Sequence, residues 1–453
     1  MSLPSSALVN GSDAGIDRSA ARVGRSSTLV DDAAPGQAGE RDGGRTRRRT
    51  AELAVAGGPA LRKEPFPPWP VFADDEIAAV VDVLRSGRVN YWTGDEGRMF
   101  EREFAAAVGA RHAVAVSNGT VALELALRAV GIGPGDEVVV PARTFVATAS
   151  AVVAVGGRPV VADIDGETQT LTAATVRPVL TPRTRAILPV HLGGWPAPMP
   201  ELVALARRHD LLVVEDCAQA HGGTVAGRPV GSFGAAAAWS FCQDKILTTA
   251  GEGGMVTTDD DAVWRAVWEY KDHGKSYEAV YERTHPPGFR WLHESFGTNA
   301  RMTELQAALG RRALAKLPRW SACRRRHAAA LDAGLAGVPG LRLTVPSPGV
   351  GHAYYKYSLF VRPEQLAPGW DRDRVMAAVA GEGVPCFQGA CAEIYREKAF
   401  DGNAADRPAE PLPVARELGE TSLMLLVHPT LRDTDIDDTV AAVRKVMAVA
   451  AHA

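Results

Sequence analysis

Cysteine is scarce in this chain, and the few cysteines present are poorly placed for cross-linking. Five cysteines are scattered over 453 residues, and no two of them form a Cys-x-x-Cys pair. Such an odd, scattered set argues against a disulfide framework and against the common zinc-binding spacings, and it fits a reducing compartment. We therefore expect a cytoplasmic protein with no metal site.

Long apolar runs and a strong net charge are missing as well. No run reaches the roughly 18 residues of a membrane span, and the net charge is only −3. These features give no reason to expect a membrane or a nucleic-acid partner. A hydrophobic content of 46% and a charged content of 23% are ordinary for a globular enzyme, and the length allows two or three domains.

Large apolar residues are almost absent from residues 1–50, which are rich in Ser, Gly, Ala, Asp and Arg. Such a composition cannot bury a core, so we predict a disordered tail. The run Arg45-Thr-Arg-Arg-Arg49 resembles a twin-arginine export signal, but the segment after it is too short and too glycine-rich for a signal core. We expect a large domain, with its N-terminal segment, over residues 51–318 and a smaller C-terminal domain over residues 319–453.

Short apolar strands alternate with helical patterns through the first of these domains. The predicted strands are His112–Val116, Glu137–Val140, Pro159–Ala162, Ala186–Val190, Leu211–Glu215, Ala235–Phe241 and Gly254–Thr258. The predicted helices are Gly119–Val130, Phe145–Val155, Ala173–Leu180, Glu201–Arg208 and Met302–Leu317, preceded by a helix that carries Ile77, Val80, Val81 and Leu84 on one face. Continuous apolar strands separated by helices predict an α/β fold with a largely parallel sheet covered on both faces.

The most informative segment surrounds Lys245, which lies between an apolar approach ending at Ser240 and the glycine-rich run 251–254. About thirty residues earlier, Asp216 follows an apolar strand. Further upstream, Asn118-Gly119-Thr120 follows another strand and opens a helix. Pyridoxal phosphate needs a lysine for a Schiff base, an acid at its pyridine nitrogen and a cradle for its phosphate. The three elements together favour a site for this cofactor.

Each element alone also has an ordinary structural explanation. The Gly119 segment fits a simple helix N-cap, Asp216 fits an acidic strand end, and Lys245 fits a solvated surface lysine. Phe145 lies just past a strand end, where its ring can stack on a cofactor or can equally belong to the core.

Several of these motifs match one family. Residues from about 52 to 446 resemble the DegT/StrS family of pyridoxal-phosphate aminotransferases, which act on keto sugars and keto cyclitols. The matching motifs are Gly131-Ile-Gly-Pro-Gly-Asp-Glu-Val, Val190-His-Leu-Gly-Gly194, Glu215-Asp-Cys-Ala-Gln-Ala-His-Gly222, Ser240-Phe with Lys245, Gly251-Glu-Gly-Gly254 and Asn299-Ala-Arg-Met-Thr-Glu-Leu-Gln-Ala-Ala308.

The resemblance implies a fold-type I homodimer. Each chain would have a mostly parallel seven-stranded sheet sandwiched by helices, and a smaller α+β C-terminal domain. The implied site residues are Lys245 for the Schiff base and catalysis, Asp216 for the ring nitrogen, Gln219 for the phenolic oxygen side, Gly119, Thr120 and Ser240 for the phosphate, Phe145 for ring stacking, and Asn299 for the phosphate of the partner subunit's site. A long apolar helix face (Leu305, Ala308, Leu309, Ala313) is expected to pack in the dimer.

The resemblance also directs the functional expectations. We expect transfer of an amino group from glutamate or glutamine to a keto sugar linked to a nucleotide, in amino-sugar, polysaccharide or secondary-metabolite biosynthesis. Many family members have His-Pro before the lysine, whereas this chain has Cys242-Gln243-Asp244. In this respect the chain resembles members that aminate cyclitols, which have a glutamine in the same segment. A keto-cyclitol aminotransferase is therefore the alternative. Lys245 counts against a sugar dehydratase, in which histidine replaces it, and together with Asp216 it counts against a non-catalytic regulatory protein. The resemblance assigns no roles to His221, His352, Tyr354, Tyr355 or Lys356.

Overall fold

The structure is a computed structural model that describes residues 52–285, 290–402 and 407–452. The predicted disordered tail, residues 1–50, lies outside the described residues. Among the described residues, no helix combines the length and the hydrophobicity that crossing a bilayer requires.

A seven-stranded sheet forms the centre of the larger part of the fold. Its strands follow the spatial order β1-β9-β8-β5-β4-β2-β3. They are β1 His112–Val116, β2 Glu137–Pro141, β3 Arg158–Ala162, β4 Thr184–Ile187, β5 Leu212–Asp216, β8 Ala236–Ser240 and β9 Gly254–Thr258, while the short β6 Thr224–Val225 and β7 Arg228–Pro229 lie elsewhere. Only β9 runs antiparallel to its neighbours. The predicted α/β fold with a mostly parallel sheet is confirmed.

Helices cover this sheet, and most begin or end where the sequence signals it. They are α1 Asp74–Ser86, α2 Glu96–Val108, α3 Gly119–Ala129, α4 Ala147–Ala154, α5 Ala173–Val176, α6 Met199–Arg208, α7 Asp261–Tyr270 and α8 Tyr277–Tyr281. Gly87 ends α1 in the left-handed conformation, with φ of 67°, as is common for a glycine that follows a helix. The predicted helix Ala173–Leu180 is instead a short α-helix followed by a 3₁₀ turn, Arg177–Val179.

One strand ends earlier than predicted. The apolar run Ala186–Val190 predicted a strand over its full length, but β4 ends at Ile187. Pro189 has no N–H to donate to a neighbouring strand, and the chain leaves the regular ladder there, with only an isolated bridge between Val190 and Asp216. The chain then enters the loop that contains His191–Gly194, which lies beside the end of β5.

A second, four-stranded sheet has the order β10-β12-β14-β13. Its strands are β10 Leu341–Leu343, β12 Tyr357–Val361, β13 Cys386–Phe387 and β14 Ser422–Leu425. The helices in this part of the chain are α9 Glu304–Leu335, α10 Arg372–Gly381, α11 Pro413–Thr421 and α12 Asp433–Ala450. The short strand β11, Val350–Gly351, lies outside this sheet. Strand β11 pairs with β6 of the larger part. The second sheet has a separate apolar core.

Helix α9 is twice as long as predicted. The apolar pattern suggested Met302–Leu317, but the helix has 32 residues and continues through Pro318. Its second half carries Ala328, Leu331 and Leu335 into the core of the second sheet, and this packing extends the helix beyond the proline. The predicted division at residues 318–319 falls within this helix and stays a prediction.

Two apolar helix faces differ from expectation. Ala308, Leu309 and Ala313 of α9, which were expected to pack in a dimer, are buried within the single chain. Part of the α1 face is instead open, because Ile77 is 52% and Leu84 is 56% exposed. These three α9 side chains are therefore not accessible for contact with another molecule.

Candidate active site

The carboxyl ends of neighbouring parallel strands bring the predicted residues to one edge of the large sheet. Asp216 ends β5 and pairs with Ala238 of β8, two residues before Ser240. Ligands of open α/β sheets bind at this edge. Lys245 lies in the loop that joins β8 to the antiparallel β9, as its position between the two strands predicted.

A glycine-lined cradle lies where α3 begins. A Cβ atom added to Gly119 would lie 2.5 Å from the Ser240 Cβ, and one added to Gly254 would lie 2.3 Å from the Asn118 carbonyl oxygen. The Asn118 side chain accepts a hydrogen bond from the Val121 N–H at 2.9 Å. The N–H groups of Gly119 and Thr120, earlier in the turn, have no helical carbonyl to bind, so the cradle suits an anion.

Asp216 is a buried carboxylate, only 5% exposed. Its oxygens accept hydrogen bonds from the Thr148 hydroxyl at 3.0 Å and from the Ala218 N–H at 3.1 Å. Burial raises the pKa of Asp216, while these two donors and the charge of Lys245 oppose that rise. A protonated ring nitrogen against this carboxylate would favour its charged form.

Thr148 is a residue that sequence reasoning missed. It lies three residues after Phe145, about one helical turn along, and its N–H donates to the Phe145 carbonyl at 3.1 Å. Its hydroxyl also lies 2.9 Å from the Thr144 hydroxyl. The only available signal was a polar residue at that spacing in the Phe145-Val-Ala-Thr148 segment.

The side chains of Phe145 and Gln219 differ in exposure and in hydrogen bonding. Phe145 is 59% exposed, so its ring has an open surface rather than a place in the core. The Gln219 side-chain oxygen accepts a hydrogen bond from the Gly193 N–H at 2.8 Å, which leaves its amide group as a donor.

Both backbone groups of Lys245, its N–H and its carbonyl, form hydrogen bonds. Its N–H donates to the Cys242 carbonyl at 3.1 Å, and its carbonyl accepts a hydrogen bond from the Trp69 indole N–H at 2.9 Å. Its ammonium group lies 5.1 Å from the centroid of the Tyr355 ring. Trp69 was missed because the proline-rich segment around it indicated only an extended chain.

His221 and Asn299 have contrasting surroundings. His221 is 1% exposed and packs against the rings of Trp239 and Phe241. Neither of its ring nitrogens has a hydrogen-bond partner among the described residues. Burial, with the charges of Lys245 and Arg324, lowers the pKa of His221 to about 3, so the ring is neutral. Asn299 is exposed and forms an isolated backbone bridge with Asp272.

A buried group of possible metal ligands, His191, Glu215 and Cys217, lies beside the site, with ligand atoms within 4.8 Å of one another. The His191 Nδ1 accepts from the Ala197 N–H at 2.9 Å, and its Nε2 lies 3.1 Å from Glu215. Glu215 also accepts from three backbone N–H groups, those of residues 231, 233 and 234. Burial raises the pKa of the Cys217 thiol. These satisfied contacts indicate a structural role.

The residues present fit pyridoxal phosphate. The glycine cradle and the start of α3 suit its phosphate, and the buried Asp216 suits a protonated pyridine nitrogen. The exposed Phe145 offers a surface for its ring, and Lys245 supplies an amine at the same sheet edge. The donor set therefore meets the requirements for this cofactor.

Substitution of Gly119 by alanine tests the cradle. The new Cβ would clash with Ser240, and overpacking of this kind costs about 1–3 kcal/mol. We expect a lower midpoint of thermal unfolding for Gly119→Ala, partly restored in the double variant Gly119→Ala/Ser240→Gly. Gly133→Ala is the matched control, because a Cβ there meets nothing within 4 Å. A Gly119→Ala variant as stable as the control would contradict the described close approach.

Comparison with known proteins extends these observations. The chain matches the DegT/DnrJ/EryC1/StrS aminotransferase family over residues 70–444. It is 37% identical over 354 residues to the UDP-N-acetyl-3-dehydro-alpha-D-glucosamine 3-aminotransferase of Acidithiobacillus ferrooxidans, covering 78% of this chain and 89% of that protein. It is 36% identical over 412 residues to the L-glutamine:2-deoxy-scyllo-inosose aminotransferase of Micromonospora echinospora, covering 87% of this chain and 98% of that protein.

A solved structure agrees with the sequence matches. The structure of an aminotransferase from Psychrobacter cryohalolentis is 52% identical, with a TM-score of 0.83, over 85% of this chain and 99% of that chain. The family match over residues 70–444 contains every residue that the resemblance implies for the cofactor site, from Gly119 to Asn299. The protein is an aminotransferase and belongs to the DegT/DnrJ/EryC1/StrS aminotransferase family.

Proposed function

We propose that this aminotransferase uses pyridoxal 5'-phosphate to transfer an amino group from glutamate or glutamine to a keto sugar linked to a nucleotide. The observation that carries this proposal is the meeting of Lys245, the buried Asp216 and the glycine cradle at one sheet edge. Relatives that act on nucleotide sugars support the acceptor class.

The chain's own residues have distinct tasks in this proposal. Bound pyridoxal phosphate supplies an electron sink for the carbon that loses or gains a proton. Asp216 keeps a proton on the ring nitrogen, with Thr148 orienting its carboxylate. Gly119, Thr120 and Ser240 hold the phosphate, Phe145 covers the ring face, and the Gln219 amide donates to the phenolic oxygen side. Lys245 carries the cofactor and moves the proton at the substrate carbon.

A keto cyclitol is the second candidate acceptor. Gln243 lies between Ser240 and Lys245 where many family members have His-Pro. The match to the scyllo-inosose aminotransferase also extends over nearly all of that relative. We keep this candidate beside the nucleotide sugars.

Amination assays distinguish the two acceptors. The purified enzyme, supplied with pyridoxal phosphate and either glutamate or glutamine, is incubated with nucleotide-linked keto sugars and with scyllo-inosose. Mass spectrometry then detects an amino product. We expect amination of at least one nucleotide keto sugar. Amination of scyllo-inosose alone would favour the cyclitol as the acceptor. If no compound of either class is aminated, the proposed function is wrong.

We also propose a homodimer that works in the cytoplasm. All five cysteines are free, which suits a reducing compartment. Large apolar side chains are exposed on the single chain, as apolar side chains at subunit interfaces are before assembly. They include Ile77, Leu84, Trp291 and Phe296. The exposed Asn299 is available to a partner's site, as the family resemblance implies.

Complementation tests the shared site. Mixed Lys245→Ala and Asn299→Ala chains would form heterodimers in which one site has both defects and the other has neither. We therefore expect coexpression to restore part of the activity that each variant lacks alone. The test requires Asn299→Ala itself to be strongly impaired. If verified heterodimers then show no gain over the separate variants, Asn299 acts within its own chain and the two-chain site is wrong.

A further inference from the structure

The segment 353–357 is fixed against the loop that follows β4. The Ala353 N–H donates to the Gly194 carbonyl at 2.8 Å, and the Lys356 N–H donates to the Gly193 carbonyl at 3.3 Å. A Cβ added to Gly194 would lie 2.8 Å from the amide nitrogens of Tyr354 and Tyr355. These contacts fix the backbone of Lys356 beside Gly193, whose N–H donates to the Gln219 side chain.

This placement sets two ammonium groups around one aromatic ring. The Lys356 Nζ lies 4.9 Å from the centroid of the Tyr355 ring, and the Lys245 Nζ lies 5.1 Å from it. The Tyr355 hydroxyl donates to Asp244 in a hydrogen bond. The ring is thus held in place, and Lys356 belongs to the immediate surroundings of Lys245.

Arg324 adds a third cation. Its side chain is almost fully buried, and its Nη1 donates to the carbonyls of Tyr354 and Tyr355, both at 3.2 Å. Its Nε and Nη2 have no hydrogen-bond partner among the described residues. Burial lowers the pKa of Arg324 to about 10, which leaves the guanidinium charged at neutral pH.

Positive charge exceeds negative charge in this neighbourhood. Burial, Arg324 and Lys245 lower the pKa of Lys356 to about 8, while Asp244 opposes that fall. The nearby His221 and His428 are neutral, because their pKa values are lowered to about 3. Asp244 is already bonded to Tyr355, and among the residues that the structure describes the Lys356 ammonium has no hydrogen-bond acceptor. Desolvated like charges that lie close together favour the binding of an anion.

We propose that Lys356 binds a carboxylate of the substrate beside Lys245, with Arg324 positioning the segment and reinforcing the positive charge. This inference rests on the proposed function, since it places a substrate group in the same site. The carboxylate belongs either to the amino-acid donor or to an acidic keto sugar. A charge-assisted contact to an ammonium serves both sources.

Binding of unreactive probes tests the site without transamination. Isothermal titration of the cofactor-loaded enzyme compares glutarate with glutaramide, and UDP-glucuronate with UDP-glucose, so that each pair differs in carboxylate content. We expect the wild type to prefer at least one carboxylate probe. Lys356→Met should weaken that probe roughly 10- to 100-fold, as expected for loss of a charge-assisted contact, while leaving the neutral partner unchanged.

The pair that responds identifies the source of the carboxylate. A response to glutarate assigns it to the donor, and a response to UDP-glucuronate assigns it to the sugar. If the Lys356→Met variant is unstable, Lys356→Gln repeats the test. Lys356→Arg keeps the positive charge and should retain most of the preference for the carboxylate probe. Lys398 is exposed, and Lys398→Met is the control. The proposal is overturned if the wild type prefers neither carboxylate probe, or if Lys356→Met keeps the preference. Neither result depends on whether a keto sugar is aminated.

Discussion

Lys245→Ala is expected to abolish transamination. A positioned acid–base group contributes about 10²–10⁴-fold, and Lys245 also carries the cofactor in our proposal, so we expect at least that loss of turnover. The glycine cradle and Asp216 remain in the variant. It should therefore still bind pyridoxal phosphate, more weakly, through the phosphate and the ring nitrogen, as equilibrium titration can measure.

The control for this experiment is another lysine. Lys398 is exposed and lies outside the site, so Lys398→Ala should keep wild-type turnover, cofactor content and thermal stability. A Lys245→Ala variant that retains turnover within tenfold of the control would remove Lys245 from catalysis.

Asp216→Asn should cost far more activity than Asp216→Glu. An amide cannot hold a proton on the ring nitrogen, and the loss of such a charge-assisted contact costs roughly 1.5–3 kcal/mol, or about ten- to a hundredfold in rate. Glutamate keeps the charge and loses only the fit to Thr148 and Ala218. Steady-state turnover at saturating cofactor gives the comparison.

Stability separates this effect from unfolding. Asp216 is buried with a raised pKa, and asparagine has the same size without the charge. The Asp216→Asn variant should therefore unfold at a temperature close to that of the wild type. Near-wild-type turnover of the asparagine variant would exclude Asp216 from the site.

Much of the sheet was predictable because its strands are short apolar runs with polar or glycine boundaries. The ends of β1 and β9 agree with the sequence pattern to the residue. The position of Lys245 between β8 and β9 was predictable for the same reason. The proposed roles of Asp216, Gly119 and Ser240 came from the combination of motifs, and the convergence of these residues at one sheet edge follows from parallel strand order.

Contacts between distant segments could not be predicted. Trp69 and Lys245 are 176 residues apart, and nothing local indicates that one binds the other. Thr148 resembles any helical threonine until β5 brings Asp216 to it. The second half of α9 was missed because Pro318 and the run Arg324–Arg326 interrupt its apolar pattern, although packing on a separate core keeps the helix intact.

The exposed face of α1 illustrates a different limit. The spacing of Ile77 and Leu84 correctly predicted a helix, but periodicity does not reveal whether the partner surface belongs to the same chain or to another. The opposite error concerns Ala308 and Leu309, which were expected to pack against a second chain but are buried within their own chain. Both cases depend on tertiary placement rather than on local pattern.

The most direct test of the central claim, that Lys245 carries the cofactor, is peptide mapping after borohydride treatment of the purified enzyme loaded with pyridoxal phosphate. Reduction should attach the cofactor covalently to one peptide, which mass spectrometry identifies. We expect the adduct on Lys245 in the wild type and on no specific residue in Lys245→Ala. A stoichiometric adduct on Lys356 or on any other lysine of the wild type would contradict the claim.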